Sequence, residues 1–259
     1  MSIQTLFSLE GRVALITGGS SGIGLAIARA YADAGAAVAI NGRSAERLAA
    51  ATESLRATGA DVIAVQADVG AIADAQQMVR EAHAWRGRID ILVNCAGANR
   101  RKPVLDVTPD DFEYVVNAHL RGAYFTCQAV VPHMIAQGGG KIIHIGSATI
   151  RTGLADVSVY GAAKAGMDAL TRSMAVEWAE HNIQVNCLAP GFIMTELTRE
   201  GVWANAHRSA WLLDRIPMKR PGEPDEMNGV ALLLASRASD YLTGQTIHID
   251  GGFAAGSKW

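Results

Sequence analysis

The feature that most restricts this chain is the run Thr17-Gly18-Gly19-Ser20-Ser21-Gly22-Ile23-Gly24. It follows the apolar segment 13–16 and opens directly into Leu25-Ala26-Ile27-Ala28. Glycines there let a backbone turn tightly, approach another group closely and present N–H groups at a helix N-terminus. The junction suits a dinucleotide pyrophosphate, although similar turns also serve as plain helix starts. The downstream pattern weighs between these. Short apolar runs at 13–17, 38–41, 62–66, 89–94, 141–145, 183–189 and 246–249 read as buried strands. Stretches with helical spacing at 22–34, 45–58, 73–85, 109–135 and 158–180 lie between most of them. Strands apolar on both faces, each followed by a helix, describe a parallel sheet covered on two sides. A closed eight-fold barrel and an open doubly wound sheet share that alternation, and the glycine turn after the first strand favours the open sheet. The expectation is therefore α/β: one doubly wound domain over 1–259, with about seven parallel strands and helices on both faces.

Composition narrows the function classes. With 49% hydrophobic and 19% charged residues, the chain can bury a large core. Its 23 Lys plus Arg and 25 Asp plus Glu give a net charge of -2, which argues against a nucleic-acid partner. Cys95, Cys127 and Cys187 form no CxxC pair, so neither a disulfide framework nor a metal site is expected, and a reducing compartment fits. The start of the chain lacks the pattern of a secretory signal, and no apolar run reaches the roughly 20 residues needed for a membrane span. The reading is a cytoplasmic protein with a small-molecule partner and no membrane partner. Residues 192–220 break the alternation and are rich in Trp, Arg and Leu. An insert after a strand's C-terminal end suits a substrate-covering lobe, or a surface excursion packed against the body or a neighbouring subunit.

Tyr160 and Lys164 are four apart at the start of a helical stretch, on one helix face. A nearby ammonium favours a phenolate, so the phenol's pKa is expected to fall toward neutrality and the group to exchange a proton with an alkoxide. Ser147 ends the strand before that helix, at the same sheet edge, where its hydroxyl could meet the same oxygen. Each residue also has an ordinary reading, as a helix-surface pair and a turn cap.

Together these segments resemble the short-chain dehydrogenase/reductase family over 9–252. Thr17-Gly18 with Gly22-Ile23-Gly24 is similar to its cofactor turn, and Asn94-Cys95-Ala96-Gly97 to its Asn-Asn-Ala-Gly motif with Cys in second place. Ser147, Tyr160 and Lys164 match its catalytic residues, and Pro190-Gly191-Phe192-Ile193-Met194-Thr195 its nicotinamide-holding segment. The resemblance implies a Rossmann fold and NAD(P)-dependent interconversion of an alcohol and a ketone. It implies cofactor contacts at Gly18, Ser20, Ser21, Gly22, Ile23, Asn94, Ala96, Gly97, Tyr160, Lys164, Pro190, Gly191, Ile193 and Thr195, and at the adenine-side pair Asp68-Val69. Lys164 is implied to hold the nicotinamide ribose. The chain departs from the pattern where the family carries a fourth catalytic residue, Asn, before a Leu-Arg-Gly step. Here His119 precedes Leu120-Arg121-Gly122, and Asn117 lies two residues earlier. A neutral imidazole both donates and accepts, so His119 is expected to take that place.

At the end of the second strand, Gly42 stands where the family carries an acidic residue, and Arg43 follows. A guanidinium suits a 2′-phosphate, so NADP(H) is favoured with NAD(H) possible. Arg100 and Arg101 lie on the loop after Gly97, Arg151 follows Ser147 by four residues, and Arg208 lies in the insert. These cations suit an anionic substrate, although a solvated basic loop has the same composition. Asn99-Arg100-Arg101, Asp214-Arg215-Ile216-Pro217 and Ala238-Ser239-Asp240-Tyr241 resemble the gluconate 5-dehydrogenase and 2-keto-3-deoxygluconate dehydrogenase members, which act on sugar acids. The rival readings are a 3-oxoacyl-(acyl-carrier-protein) reductase and a non-catalytic nucleotide-binding regulatory protein. A homotetramer packed through the helical stretches 109–135 and 158–180 is implied as well.

Overall fold

The structure, a computed structural model, describes residues 2–256. In chain order its elements are α1 (Ile3–Phe7), β1 (Val13–Thr17), α2 (Gly22–Asp33), β2 (Ala37–Gly42), α3 (Ala45–Arg56), β3 (Val62–Gln66), α4 (Ile72–Arg86) and β4 (Ile91–Asn94). Then follow α5 (Pro109–Val116), α6 (Gly122–Ala136), β5 (Gly140–Ile145), α7 (Ser158–Trp178), β6 (Ile183–Pro190), α8 (Glu196–Thr198), α9 (Ala206–Arg215), α10 (Asn228–Ala235) and β7 (Thr246–Ile249). The strands form one sheet in the order β3-β2-β1-β4-β5-β6-β7, and every pairing is parallel.

Alternation along each strand builds two cores. Ala14, Ile16, Val38, Ile40, Ile91 and Val93 point to the face covered by α2, α3 and α10. Leu15, Ala39 and Leu92 point to the face covered by α4, α6 and α7. Side chains that alternate across a sheet buried on both faces require apolar residues at nearly every strand position, which is the pattern the sequence carries. The turn chemistry is local. Ser44 caps α3 by accepting from the Arg47 N–H, Thr108 and Asp111 form a capping box ahead of α5, and Gly87 ends α4 in the left-handed region.

Three features lie beyond what the periodicity alone displays. The stretch 109–135 is not one regular helix: a π turn at Asn117–Arg121 separates α5 from α6. It inserts one residue into the helical repeat and re-aims the side chains around position 119. α10, Asn-Gly-Val-Ala-Leu-Leu-Leu-Ala, has no apolar stripe because it is wedged between the sheet and α2, where the Tyr31 hydroxyl donates to the Ala231 carbonyl at 2.9 Å. Residues 192–220 fold around α8, a second π turn at Arg199–Trp203 and α9, with a small core of Val202, Leu212 and Ile216. No helix among the described residues is long and apolar enough to cross a membrane.

The chain's route places the site. β1 pairs with β2 on one side and β4 on the other, so the connections leaving β1 and β4 diverge and open a crevice beyond Thr17 and Asn94, which are register partners. In open α/β sheets such a switch point is where ligands gather.

Candidate active site

The glycine turn forms one wall of the crevice. Gly18 lies at φ +67, and a Cβ on it would meet the Ala96 Cα at 2.9 Å. A Cβ on Gly24 would fall 2.3 Å from the Gly18 carbonyl oxygen. Only bare backbone lets the turn close against the β4 exit and the start of α2. Thr17 fixes the opposite wall: its hydroxyl oxygen accepts from the N–H groups of both Cys95 and Ala96 at 3.1 Å. Ser21 ends the turn with no side-chain capping bond, Ser20 and Ile23 are half-buried beside it, and Thr195 reaches Gly22, where a Cβ would meet its methyl at 3.3 Å. Pro190 closes β6 on the same sheet edge, followed by Gly191 and the buried Ile193. A narrow cradle of backbone at a helix N-terminus, open at a switch point, fits a dinucleotide.

At the end of β2 the Gly42 Cα faces the Ser20 hydroxyl, where a Cβ would lie 2.8 Å away. The Arg43 guanidinium is exposed, 3.9 Å from Asp68 and 3.5 Å from the Tyr114 hydroxyl. Asp68 also accepts from the Gly70 N–H at 2.9 Å, so it orders its own turn, and Val69 is buried behind it. Tyr114 had no signal in the sequence. It comes from α5, 71 residues from Arg43, and only the fold brings the two together.

Ser147, Tyr160 and Lys164 converge beyond the end of β5. Ser147 is buried and caps a short turn, its hydroxyl accepting from the Thr149 N–H at 3.2 Å. The cap and site readings of this serine are therefore compatible. Tyr160 is half-buried in the first turn of α7. The Lys164 Nζ lies 5.7 Å from the Tyr160 ring centroid and donates to the Ile145 carbonyl at 2.5 Å. The proton energetics differ from the sequence expectation. Burial raises the Tyr160 pKa above its ordinary value, and the Ser147 hydroxyl and Arg101 pull it only partly back. Burial lowers Lys164 to about 8. Desolvation outweighs the pairing assumed from spacing alone, so the resting phenol holds its proton.

His119 sits in the π turn, 4% exposed. Its Nε2 lies 2.7 Å from the Ala98 carbonyl and 3.1 Å from the Ala98 N–H, while its buried Nδ1 has no hydrogen-bond partner among the described residues. The ring stands edge-on to Tyr160 at 5.2 Å. Burial, then Lys164, lowers its pKa to about 3, so the imidazole is neutral. It fills the space beside Gly97, where a Cβ would lie 2.1 Å from its Cε1. Asn117 turns toward Gly70 and accepts from Arg121 at 3.4 Å. Asn94 is buried below, its amide near the His144 Nδ1 at 3.2 Å and donating to the Cys127 sulfur at 3.3 Å.

The four candidate substrate arginines separate. Arg100 is engaged elsewhere: it donates to Asp111 at 3.0 Å and lies 4.2 Å over the Tyr114 ring. Lys102 shares the same carboxylate at 2.5 Å. Arg151 is exposed in the turn after Ser147. Arg101 lies within electrostatic reach of the phenol on one side and of Arg208 on the other. Partial burial and then the like charge of Arg208 lower the Arg101 pKa, and Tyr160 and Asp156 act on it in the other direction. Arg208 is held by a bond to the Gly201 carbonyl at 2.7 Å, which ties α9 to the second π turn.

Comparison with known proteins followed the same lines. A family model described as enoyl-(acyl carrier protein) reductase matches residues 18–254. The chain is 42% identical over 248 residues to a 3-oxoacyl-(acyl-carrier-protein) reductase FabG of Chlamydia pneumoniae, covering 95% of this chain and 98% of that protein. It is 41% identical over 254 residues to a 2-dehydro-3-deoxy-D-gluconate 5-dehydrogenase of Escherichia coli (strain K12), covering 98% and 99%. Among solved structures, a gluconate 5-dehydrogenase from Burkholderia cenocepacia J2315 in complex with NADP and tartrate superposes with a TM-score of 0.94 at 42% identity, covering 98% of this chain and 99% of that one.

Proposed function

The chain belongs to the short-chain dehydrogenase/reductase family, and on that premise we propose that it interconverts a secondary alcohol and a ketone on a sugar acid or polyol, with NADP(H) as the favoured nicotinamide and NAD(H) possible. The carrying observation is that the Arg101 guanidinium acts on the Tyr160 phenol, with a second guanidinium, Arg208, acting on Arg101 in turn. A carboxylate seated on those cations would set its carbon chain against the phenol. Relatives named for gluconate and deoxygluconate chemistry support the substrate class. The preference for NADP(H) rests on Arg43 and the lack of a carboxylate at Gly42, and solved neighbours from Burkholderia cenocepacia and Beutenbergia cavernae carry NADP.

When bound, the nicotinamide would supply the hydride acceptor or donor. In the reducing direction Tyr160 starts protonated and gives its proton to the carbonyl oxygen, which the Ser147 hydroxyl orients. Lys164 would hold the nicotinamide ribose and stabilise the phenolate left behind. His119, neutral and with Nδ1 unpaired, takes the place of the family's fourth catalytic residue beside Lys164. The cradle contacts would come from Gly18, Ser20, Ser21, Gly22 and Ile23, the adenine side from Asp68 and Val69, the floor from Asn94, Ala96 and Gly97, and the nicotinamide side from Pro190, Gly191, Ile193 and Thr195. The chain works as one domain whose residues 192–220 cover the substrate. Exposed Phe112, Tyr124 and Val176 on α5, α6 and α7 support burial in a homotetramer. Three free cysteines fit a reducing cytoplasm.

A 3-oxoacyl-(acyl-carrier-protein) reductase is the second reading, favoured by the 42% identity to the Chlamydia pneumoniae protein. A non-catalytic regulatory protein is disfavoured because Ser147, Tyr160 and Lys164 are all present. The test is a spectrophotometric screen of gluconate, 5-ketogluconate, 2-keto-3-deoxygluconate, simple sugars and acetoacetyl thioester with both nicotinamides. Turnover of a sugar acid with NADP(H) supports the proposal. Turnover of the thioester alone selects the second reading, and no turnover of any of them removes both.

A further inference from the structure

A second concavity lies at the opposite, N-terminal edge of the sheet. It is a cavity of about 520 Å³ walled by the segments that lead into β1, β4, β5 and β6 and by the turn after α10. It is polar and contains an excess of cations. Arg12, Arg88, Lys141 and Arg237 line it, against Glu10, Asp90 and Asp240. The pairings are two cations to one carboxylate. Asp90 takes Arg12 at 2.9 Å and Arg88 at 2.5 Å, and Asp240 takes Lys141 at 2.9 Å and Arg237 at 3.7 Å. Arg12 and Arg88 both reach one oxygen of Asp90, while the other oxygen accepts from the Arg88 Nε–H at 2.8 Å and from the Val13 N–H at 2.9 Å, so its acceptor capacity is heavily used. Lys141 is the most enclosed of the four cations, its side chain 11% exposed, whereas the three guanidiniums remain between 42% and 54% exposed. The site thus combines one buried ammonium and three half-exposed guanidiniums, four cations against three carboxylates. Arg88 is bidentate on Asp90, but Arg12 meets Asp90 through Nη1 alone and Arg237 meets Asp240 only at 3.7 Å, which leaves their remaining N–H donors to take an oxyanion.

We propose that this cavity is a second ligand site, distinct from the catalytic crevice, that takes a compact organic polyanion carrying two separated carboxylate or phosphate groups. One anionic group would meet Arg12 and Arg88 above Asp90, and the other Lys141 and Arg237 above Asp240. Neutral donors, the side-chain amides of Asn182 and Gln184, line the wall between. The site uses no residue assigned to the oxidoreductase chemistry, so it stands whether or not the sugar-acid reading does.

Isothermal titration of the full-length protein, saturated with NADP⁺, with citrate and separately with fructose 1,6-bisphosphate tests it. The Arg101→Gln/Arg208→Gln protein serves as the background in which the catalytic mouth cannot hold an anion. Saturable binding of at least one probe is expected in that background, weakened about tenfold or more by Arg12→Gln and by Arg237→Gln, each made separately. Which probe binds tells carboxylate from phosphate. Both substitutions are at half-exposed side chains, and circular dichroism with unchanged turnover will show that the fold is intact. If neither probe binds in that background, or if binding persists unchanged through both Arg12→Gln and Arg237→Gln, the site does not exist.

Discussion

The His119 imidazole stands edge-on to the Tyr160 phenol, centroids 5.2 Å apart and planes at 82°. The π turn at Asn117–Arg121 makes this possible, because it gives position 119 an inward direction toward Ala98 and Gly97. A polar ring with one nitrogen unpaired among the described residues is thereby buried against the Tyr160 ring.

Acid should expose this arrangement. His119 and His144 are depressed to about 3 and about 4 from an ordinary 6.5, so the unfolded chain binds protons that the folded chain refuses. Stability is therefore full above about 6.5 and falls as pH drops toward 4, by ~1.4 kcal/mol per pH unit for each group. His119→Asn should remove about half of that slope in urea unfolding curves measured between pH 4 and 7. An unaltered slope would show that the ring is not buried neutral.

Tyr160→Phe should lower kcat by about 100- to 10,000-fold while cofactor affinity, followed by fluorescence titration, stays near that of the parent. A Phe protein that turns over at full speed would end the oxidoreductase assignment of this residue.

The arginines should divide as their partners do. Arg101→Gln is expected to raise KM for a sugar acid about 10- to 100-fold and to leave a neutral ketone nearly unaffected. Arg100→Gln, which breaks the contacts to Asp111 and Tyr114, should lower the thermal midpoint and leave KM alone. Steady-state kinetics on both substrates, with a melting curve, separates the two outcomes.

Gly97→Ala places a methyl 2.1 Å from the His119 Cε1 and should destabilise by ~1–3 kcal/mol, with loss of turnover. Adding His119→Ala to Gly97→Ala should recover stability. A double-mutant cycle with no coupling between the two positions would contradict the packing described here.

Arg43→Ala should raise KM for NADPH about 10- to 100-fold and leave NADH nearly unchanged, since among the described residues the guanidinium meets only Asp68 and Tyr114 and is half-exposed to take a phosphate. Equal effects on both nicotinamides would show that Arg43 does not discriminate between them.

Much of this was legible in the sequence. Each strand from β1 to β7 is marked by its own apolar run, because a sheet covered on both faces leaves few positions for polar residues. Tyr160, Lys164 and Ser147 could be found by local spacing and by their place at a strand end. The π turn could not, since one added residue leaves the apolar repeat of 109–135 almost unaltered. Arg100 looked like a free cation because its partners, Asp111 and Tyr114, come from a helix whose packing the sequence does not display. The rise in the Tyr160 pKa was misread for a related reason: i,i+4 spacing reports a neighbour, whereas desolvation depends on tertiary packing that the spacing does not display.

The placement of β1 has a consequence for synthesis on the ribosome. Its first neighbour, β2, emerges about 20 residues later, so β1, β2 and β3 can associate early with α2 and α3. The other neighbour, β4, begins at Ile91, and until then one edge of β1 offers unpaired N–H and C=O groups. While residues 66 to 91 are leaving the ribosome, the nascent chain would therefore carry an adhesive strand edge, and the cell's holding chaperones should bind most strongly during that interval.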